Sequence, residues 1–203
     1  MRLKCALVVG MALSVSACSI GRPIPTATTY TIEPAPARSD PPESARAERL
    51  RVERVYVAAP YDGTALVYRL SAVHYVSDPY HAFLADPGPM LGNQIAEWLA
   101  EAHLFKAVAG PGSAVSAPLV LEVTVTELYG DFQKGSDPAA VMSMRCTIID
   151  QRNARQKVTY ERSISRRISL SSASPEALVR GYDAALEWIL LQLARDVSAP
   201  VAQ

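Results

Sequence analysis

Three successive stretches between residues 119 and 170 alternate apolar and polar side chains with period two, and nothing else in this chain restricts its fold as strongly. In the first, Leu119, Leu121, Val123 and Val125 are interleaved with Val120, Glu122, Thr124 and Thr126. Successive side chains of a strand point to opposite faces, so this pattern fits a sheet with one face against a core. Residues 141–149 form the next stretch. In the third, Val158, Tyr160, Ile164 and Ile168 alternate with Thr159, Glu161, Ser163 and Ser165. Turn chemistry separates them: Tyr129-Gly130-Asp131 and Lys134-Gly135-Ser136-Asp137-Pro138, then a polar turn over residues 150–155 containing Asn153. Three strands at this spacing predict an antiparallel meander.

Helical periodicity brackets the meander. Ser174-Pro175-Glu176 reads as an N-cap, a first-position proline and an acid in the first turn. Leu178, Tyr182, Ala185, Leu186, Ile189, Leu193 and Val197 follow on one helical face, with Gly181 costing roughly 1 kcal/mol relative to Ala. Upstream, Leu91, Ile95, Trp98, Leu99 and Ala102 mark an amphipathic helix over residues 90–105, opened by Pro89. Glu97 and Glu101 fall on its polar side. Earlier still, residues 51–57 alternate as a strand, Pro60-Tyr61-Asp62-Gly63 makes a turn, and residues 66–70 and 73–76 read as extended pieces closed by Asp78-Pro79. Residues 80–89 read as a loop. The order predicts an α+β domain over residues 50–198, an antiparallel-dominated sheet with two helices packed on one face.

The chemistry-bearing residues are sparse. Lys plus Arg number 20 against 20 Asp plus Glu, with no basic stripe, so no nucleic-acid partner is expected. His74, His81 and His103 are not at ligand spacing with one another or with Cys146, so no metal is expected. No nucleophile elbow, phosphate loop or dinucleotide fingerprint is present, and the residues suggest no catalytic role and no cofactor. Cys146 sits in an alternating apolar pattern and reads as a small buried hydrophobe. One cluster stands out: Tyr75, Tyr80, His81, Phe83 and Leu84 gather around two Asp-Pro steps. Such a segment either meets a partner, with Tyr80 and Phe83 as candidate contacts, or folds its rings back over the sheet.

The N-terminus reads as an export signal over residues 1–17. Arg2 and Lys4 precede a short apolar run, which falls short of the roughly 20 residues a spanning helix needs. Val15-Ser16-Ala17-Cys18 resembles a bacterial lipobox, which implies acylation (palmitate among the chains) of Cys18 and attachment to a membrane. By the sorting rule that goes with the resemblance, Ser19 favours the outer over the inner membrane. Residues 18–49, with Pro23, Pro25, Pro34, Pro36, Pro41 and Pro42, read as a lipidated cysteine and a proline-rich tether. Within it, Thr28-Thr29-Tyr30-Thr31-Ile32 has strand composition and could pair with the domain's edge.

Leu66-Val67-Tyr68-Arg69-Leu70, His74-Tyr75-Val76, Asp78-Pro79-Tyr80-His81, Pro89-Met90-Leu91 and the stretch from Leu99 to Phe105-Lys106-Ala107-Val108 together resemble the ABC-type transport auxiliary lipoproteins. The resemblance spans about residues 28–195. It differs where the family commonly carries a tryptophan and this chain has His81-Ala82-Phe83. What the resemblance implies is a non-enzymatic docking component of an intermembrane lipid transport system. Its partners would be an MCE-type (mammalian-cell-entry-type) protein with its permease and ATPase, and lipid would be a further candidate ligand. The competing reading is an outer-membrane lipoprotein that activates or assembles another envelope machine, such as a cell-wall synthase or a secretion channel.

Overall fold

The computed structural model of the protein describes residues 27–37 and 46–198. The expected signal, Cys18 and part of the expected tether lie outside the described residues. In chain order the elements are strands β1 (Thr28–Tyr30), β2 (Arg46–Val52) and β3 (Tyr56–Val57), a 3-10 turn at Ala59–Tyr61, strands β4 (Ala65–Arg69) and β5 (Tyr75–Phe83), and helix α1 (Pro87–Glu101). Strands β6 (Phe105–Ala109), β7 (Leu119–Asp131), β8 (Ala139–Asp150) and β9 (Lys157–Ser169) and helix α2 (Pro175–Ser198) follow.

The antiparallel meander is β7-β8-β9, registered from Leu119↔Asp150 to Asp131↔Ala139 and from Ala139↔Ser169 to Asp150↔Lys157. The other pairings make the sheet mixed. Strands β2, β3 and β4 all run parallel to β7, β6 runs parallel to β2, and β1 runs parallel to β5. Antiparallel pairing still dominates, because the two meander ladders are the longest. Both helices bury their apolar stripes in one continuous core with the inward residues of the sheet. That core joins Leu91, Ile95 and Leu99 of α1 and Leu178, Tyr182, Leu186 and Ile189 of α2 to Leu121, Val125, Met142, Met144 and Ile164.

Helix α2 is held at both ends. Ser174 Oγ accepts the Ala177 N–H at 3.2 Å, and the Arg46 guanidinium donates Nε and Nη2 to the Val197 carbonyl at 3.2 and 2.9 Å. Both ends thus find partners for groups the helix itself leaves unpaired, and the cation lies at the negative end of the dipole. Gly181 has a steric purpose. A Cβ there would come within 2.6 Å of Ala140 Cβ and Leu170 Cδ2, so the helix can sit this close to β8 only with glycine.

Three expectations are corrected. Residues 80–89 are not a loop: β5 runs through Pro79 to Phe83 and α1 already begins at Pro87. Residues 102–105 are not helical: α1 ends at Glu101, His103 takes a left-handed φ of 51°, and the chain turns into β6. Finally, residues 27–37 pack with the domain although composition placed them in the tether. Ile32 is fully buried, and Trp98 Nε1 donates to the Ala35 carbonyl at 3.1 Å. Thr28–Tyr30 does form an edge strand, on β5.

Candidate functional site

Strand β5 carries the most unusual local geometry. Val67 pairs with Ser77 and Ala65 with Ala82, so two steps along β4 face five along β5. The excess is a bulge at Asp78-Pro79-Tyr80-His81. Proline is tolerated there because a bulge needs no ladder donor. Asp78 organises it. Its Oδ1 accepts the N–H of Tyr80 at 2.8 Å and of His81 at 3.1 Å. Its Oδ2 accepts the Tyr68 hydroxyl at 2.7 Å and lies 2.7 Å from His81 Nδ1. Burial pushes the Asp78 carboxyl up, but the hydrogen bonds from Tyr68, Tyr80 and His81 outweigh it and hold the group below the usual carboxylate range. Beside it, the Tyr30 ring lies 6.2 Å from that of His81, and the Tyr30 hydroxyl donates to Glu176 Oε1 at 2.8 Å.

The bulge separates the two candidate contact residues. Tyr80 projects to solvent, 48 % exposed. Phe83 is 4 % exposed, with its ring 6.2 Å from that of buried Tyr182. Phe83 is therefore a core residue and offers no surface to a partner. Three residues apart, the two would take opposite faces on any strand; the bulge decides which one turns inward, because Ser77 and Ala82, five apart, share a face across β4 and Phe83 then falls on the core side.

The sheet face away from the helices holds a second group. Arg69 grips Asp131 through Nε at 3.2 Å and Nη2 at 2.7 Å, and Arg167 Nη1 donates to the same carboxylate. Asp131 is 2 % exposed. Burial works against its charge, but the two guanidiniums and Gln133 hold its pKa down to about 2. Arg69 also lies 5.1 Å over the Tyr129 ring, which Tyr75 meets edge-on and Tyr61 stacks against. On the same face, Ser143 Oγ donates to Glu127 Oε2 at 2.5 Å and lies 2.7 Å from Ser165 Oγ. Tyr129 and Asp131 are themselves buried, so what this face leaves accessible is Tyr75 and Arg167, held in place by these contacts. The sequence signal for it was the in-register outward parity of Arg69, Tyr129, Asp131 and Arg167, legible only once strand pairing is known.

The histidines remain apart: His74 sits exposed in the β4–β5 turn, His103 is exposed after α1, and only His81 meets a carboxylate. Glu97 and Glu101 do line a common cleft of 360 Å³, with Glu33, Pro34, Pro36, Gln94 and Trp98. Among the described residues no group of His, Cys, Asp and Glu is arranged to hold a metal ion. Burial pushes the Cys146 thiol up to about 12, in keeping with a packing role. No helix among the described residues is long and apolar enough to cross a membrane.

The family model described as ABC-type transport auxiliary lipoprotein component matches residues 30–196. No curated protein matches. Among solved structures, protein XCC0632 from Xanthomonas campestris, of family DUF330, superposes with a TM-score of 0.69 at 18 % identity, covering 82 % of this chain and 92 % of its own. A second, described only as an uncharacterized protein, gives 0.67 at 20 % identity, covering 85 % and 99 %. At such identities the likeness establishes a shared fold.

Proposed function

Because this chain belongs to the ABC-type transport auxiliary lipoprotein family, we propose that it is the membrane-tethered docking component of an MCE-type intermembrane lipid transport system. The family match over nearly the whole folded domain is the observation that carries this reading. In it, Cys18 is acylated and holds the domain at the outer membrane, facing the periplasm. The MCE protein brings the lipid-conducting path, and a permease and an ATPase supply passage and energy. This chain contributes contact surface and no catalysis. Tyr80, held outward by the Asp78 bulge, and the tyrosine-arginine face of the sheet are the surfaces proposed for that contact. Rigid aromatic groups of this kind cost little conformational entropy on binding.

The test is crosslinking in cells with the full-length protein, followed by mass spectrometry of the partners. An MCE protein with its permease and ATPase is the expected catch, and Tyr80→Ala should weaken it. Capture of a cell-wall synthase or secretion channel, with no MCE component, would overturn the assignment.

A further inference from the structure

The turn between β4 and β5 is closed by the Leu70 N–H on the His74 carbonyl at 2.8 Å. Every residue from Leu70 to Tyr75 is exposed, and His74 is the one titratable group before Tyr75. Val73 is 90 % exposed, the most of any large hydrophobic among the described residues; Leu70 is 38 % and Tyr75 41 % exposed. A single exposed apolar side chain is unremarkable. Three at one uncharged tip, fixed by a hydrogen-bonded turn, are a shaped apolar projection. Its neighbours at this end of the sheet are the β7–β8 turn, where Lys134 offsets Asp137, and the β9–α2 connection, Leu170-Ser171-Ser172-Ala173-Ser174, which has no charge.

The direction of the chain says what this tip faces. Strand β1 is parallel to β5, with Thr28 opposite His81. The chain preceding Thr28 therefore leaves toward the start of β5, which is where the tip lies. Only residues 19–27 separate Cys18 from Thr28. Fully extended, that connection spans at most about 35 Å. The tip extends past the level of Thr28 by the five residues from Ala65 to Leu70, roughly 16 Å at a strand's rise. An anchor at Cys18 thus leaves the tip at most about 20 Å from the lipid when the connection runs straight, and in contact with it when the connection is slack.

We infer that the Leu70–Tyr75 turn docks on the surface of the bilayer that holds Cys18, with Val73 entering between the lipid headgroups and Leu70 and Tyr75 beside it. This rests on the reading that Cys18 is acylated. A weak apolar contact suffices, because the anchor makes docking an intramolecular step at high effective concentration. Docking also fixes orientation: residues 110–118 and 151–156, at the far end of the sheet, then point away from the membrane.

The experiment uses the mature acylated protein in vesicles of phosphatidylethanolamine and phosphatidylglycerol containing nitroxide-labelled lipid. Cys146 is 2 % exposed, so a fluorophore attaches selectively to a new cysteine. The label goes at Val73→Cys or, as the distal reference, at Val158→Cys. Quenching several-fold stronger at position 73 is expected. With the label at Ala72→Cys instead, adding Val73→Asp should reduce the quenching, since a charge resists transfer to apolar surroundings. Equal quenching at 73 and 158, or no effect of Val73→Asp, overturns the inference. Intact mass shows separately whether Cys18 carries acyl chains. Their absence overturns the anchoring reading and the docking with it, whereas acylated protein with equal quenching overturns the docking alone.

Discussion

At the scale of single residues, one carboxylate organises the irregular part of β5. Asp78 gathers Tyr68, Tyr80 and His81 into a bulge, beyond which Phe83 falls on the core face while Tyr80 stays exposed. Their odd spacing sets the two rings on opposite faces of a strand, but which ring meets the core depends on the bulge, which no local pattern records. Asp183 is the opposite electrostatic case. It accepts the Glu33 N–H at 2.8 Å, yet burial dominates and raises its pKa to about 6. The folded state therefore binds its proton more tightly than the unfolded chain does. Its contribution to stability is greatest below pH 4 and declines as pH rises through 6. Asp183→Asn keeps an acceptor for Glu33 without the charge. Thermal unfolding should show the variant more stable than the parent at pH 7.5 and indistinguishable from it at pH 4; equal stability at both pH values would count against a half-buried charge here.

Among the elements, legibility followed continuity of pattern. The meander and α2 were plain because alternation over residues 119–126 and 158–168 and the helical stripe of α2 are each long enough to fix a period, and because Ser174 caps the helix where a cap was expected. The second half of β5 reads as a loop because Asp78-Pro79 ordinarily closes an extended piece, and here the bulge absorbs it. Strand β6 was missed because a left-handed His103, with no glycine to announce it, turns the chain after α1. The parallel pairings of β2, β3 and β4 with β7 depend on crossovers that no local pattern records. Gly181 looked like a plain cost of helix formation and proves to be the contact that lets α2 close on Ala140. Gly181→Val should destabilise the protein by about 2–3 kcal/mol in urea unfolding, through overpacking. A neutral or stabilising result would mean that α2 can lift off β8 freely.

For the whole molecule, the boundary between tether and domain decides how far the fold can stand from its anchor. Residues 27–37 close the core through Ile32 and bind Trp98 through the Ala35 carbonyl. Ile32 alone contributes about 2–3 kcal/mol by burial. A chain starting at Arg46, which keeps β2 and the Arg46–Val197 bonds, should therefore unfold at markedly lower urea than one starting at Thr28; coincident midpoints would return residues 27–37 to the tether. The same segment fixes how a load reaches the fold. Strand β1 lies along β5, so the load that matters is a pull along the strand from its N-terminal side. Such a force shears the β1 ladder, the Tyr30–Glu176 bond and the Ala35–Trp98 bond together, where a perpendicular pull would peel them one at a time. The domain is built to resist tension along this strand, like a lap joint rather than a zipper.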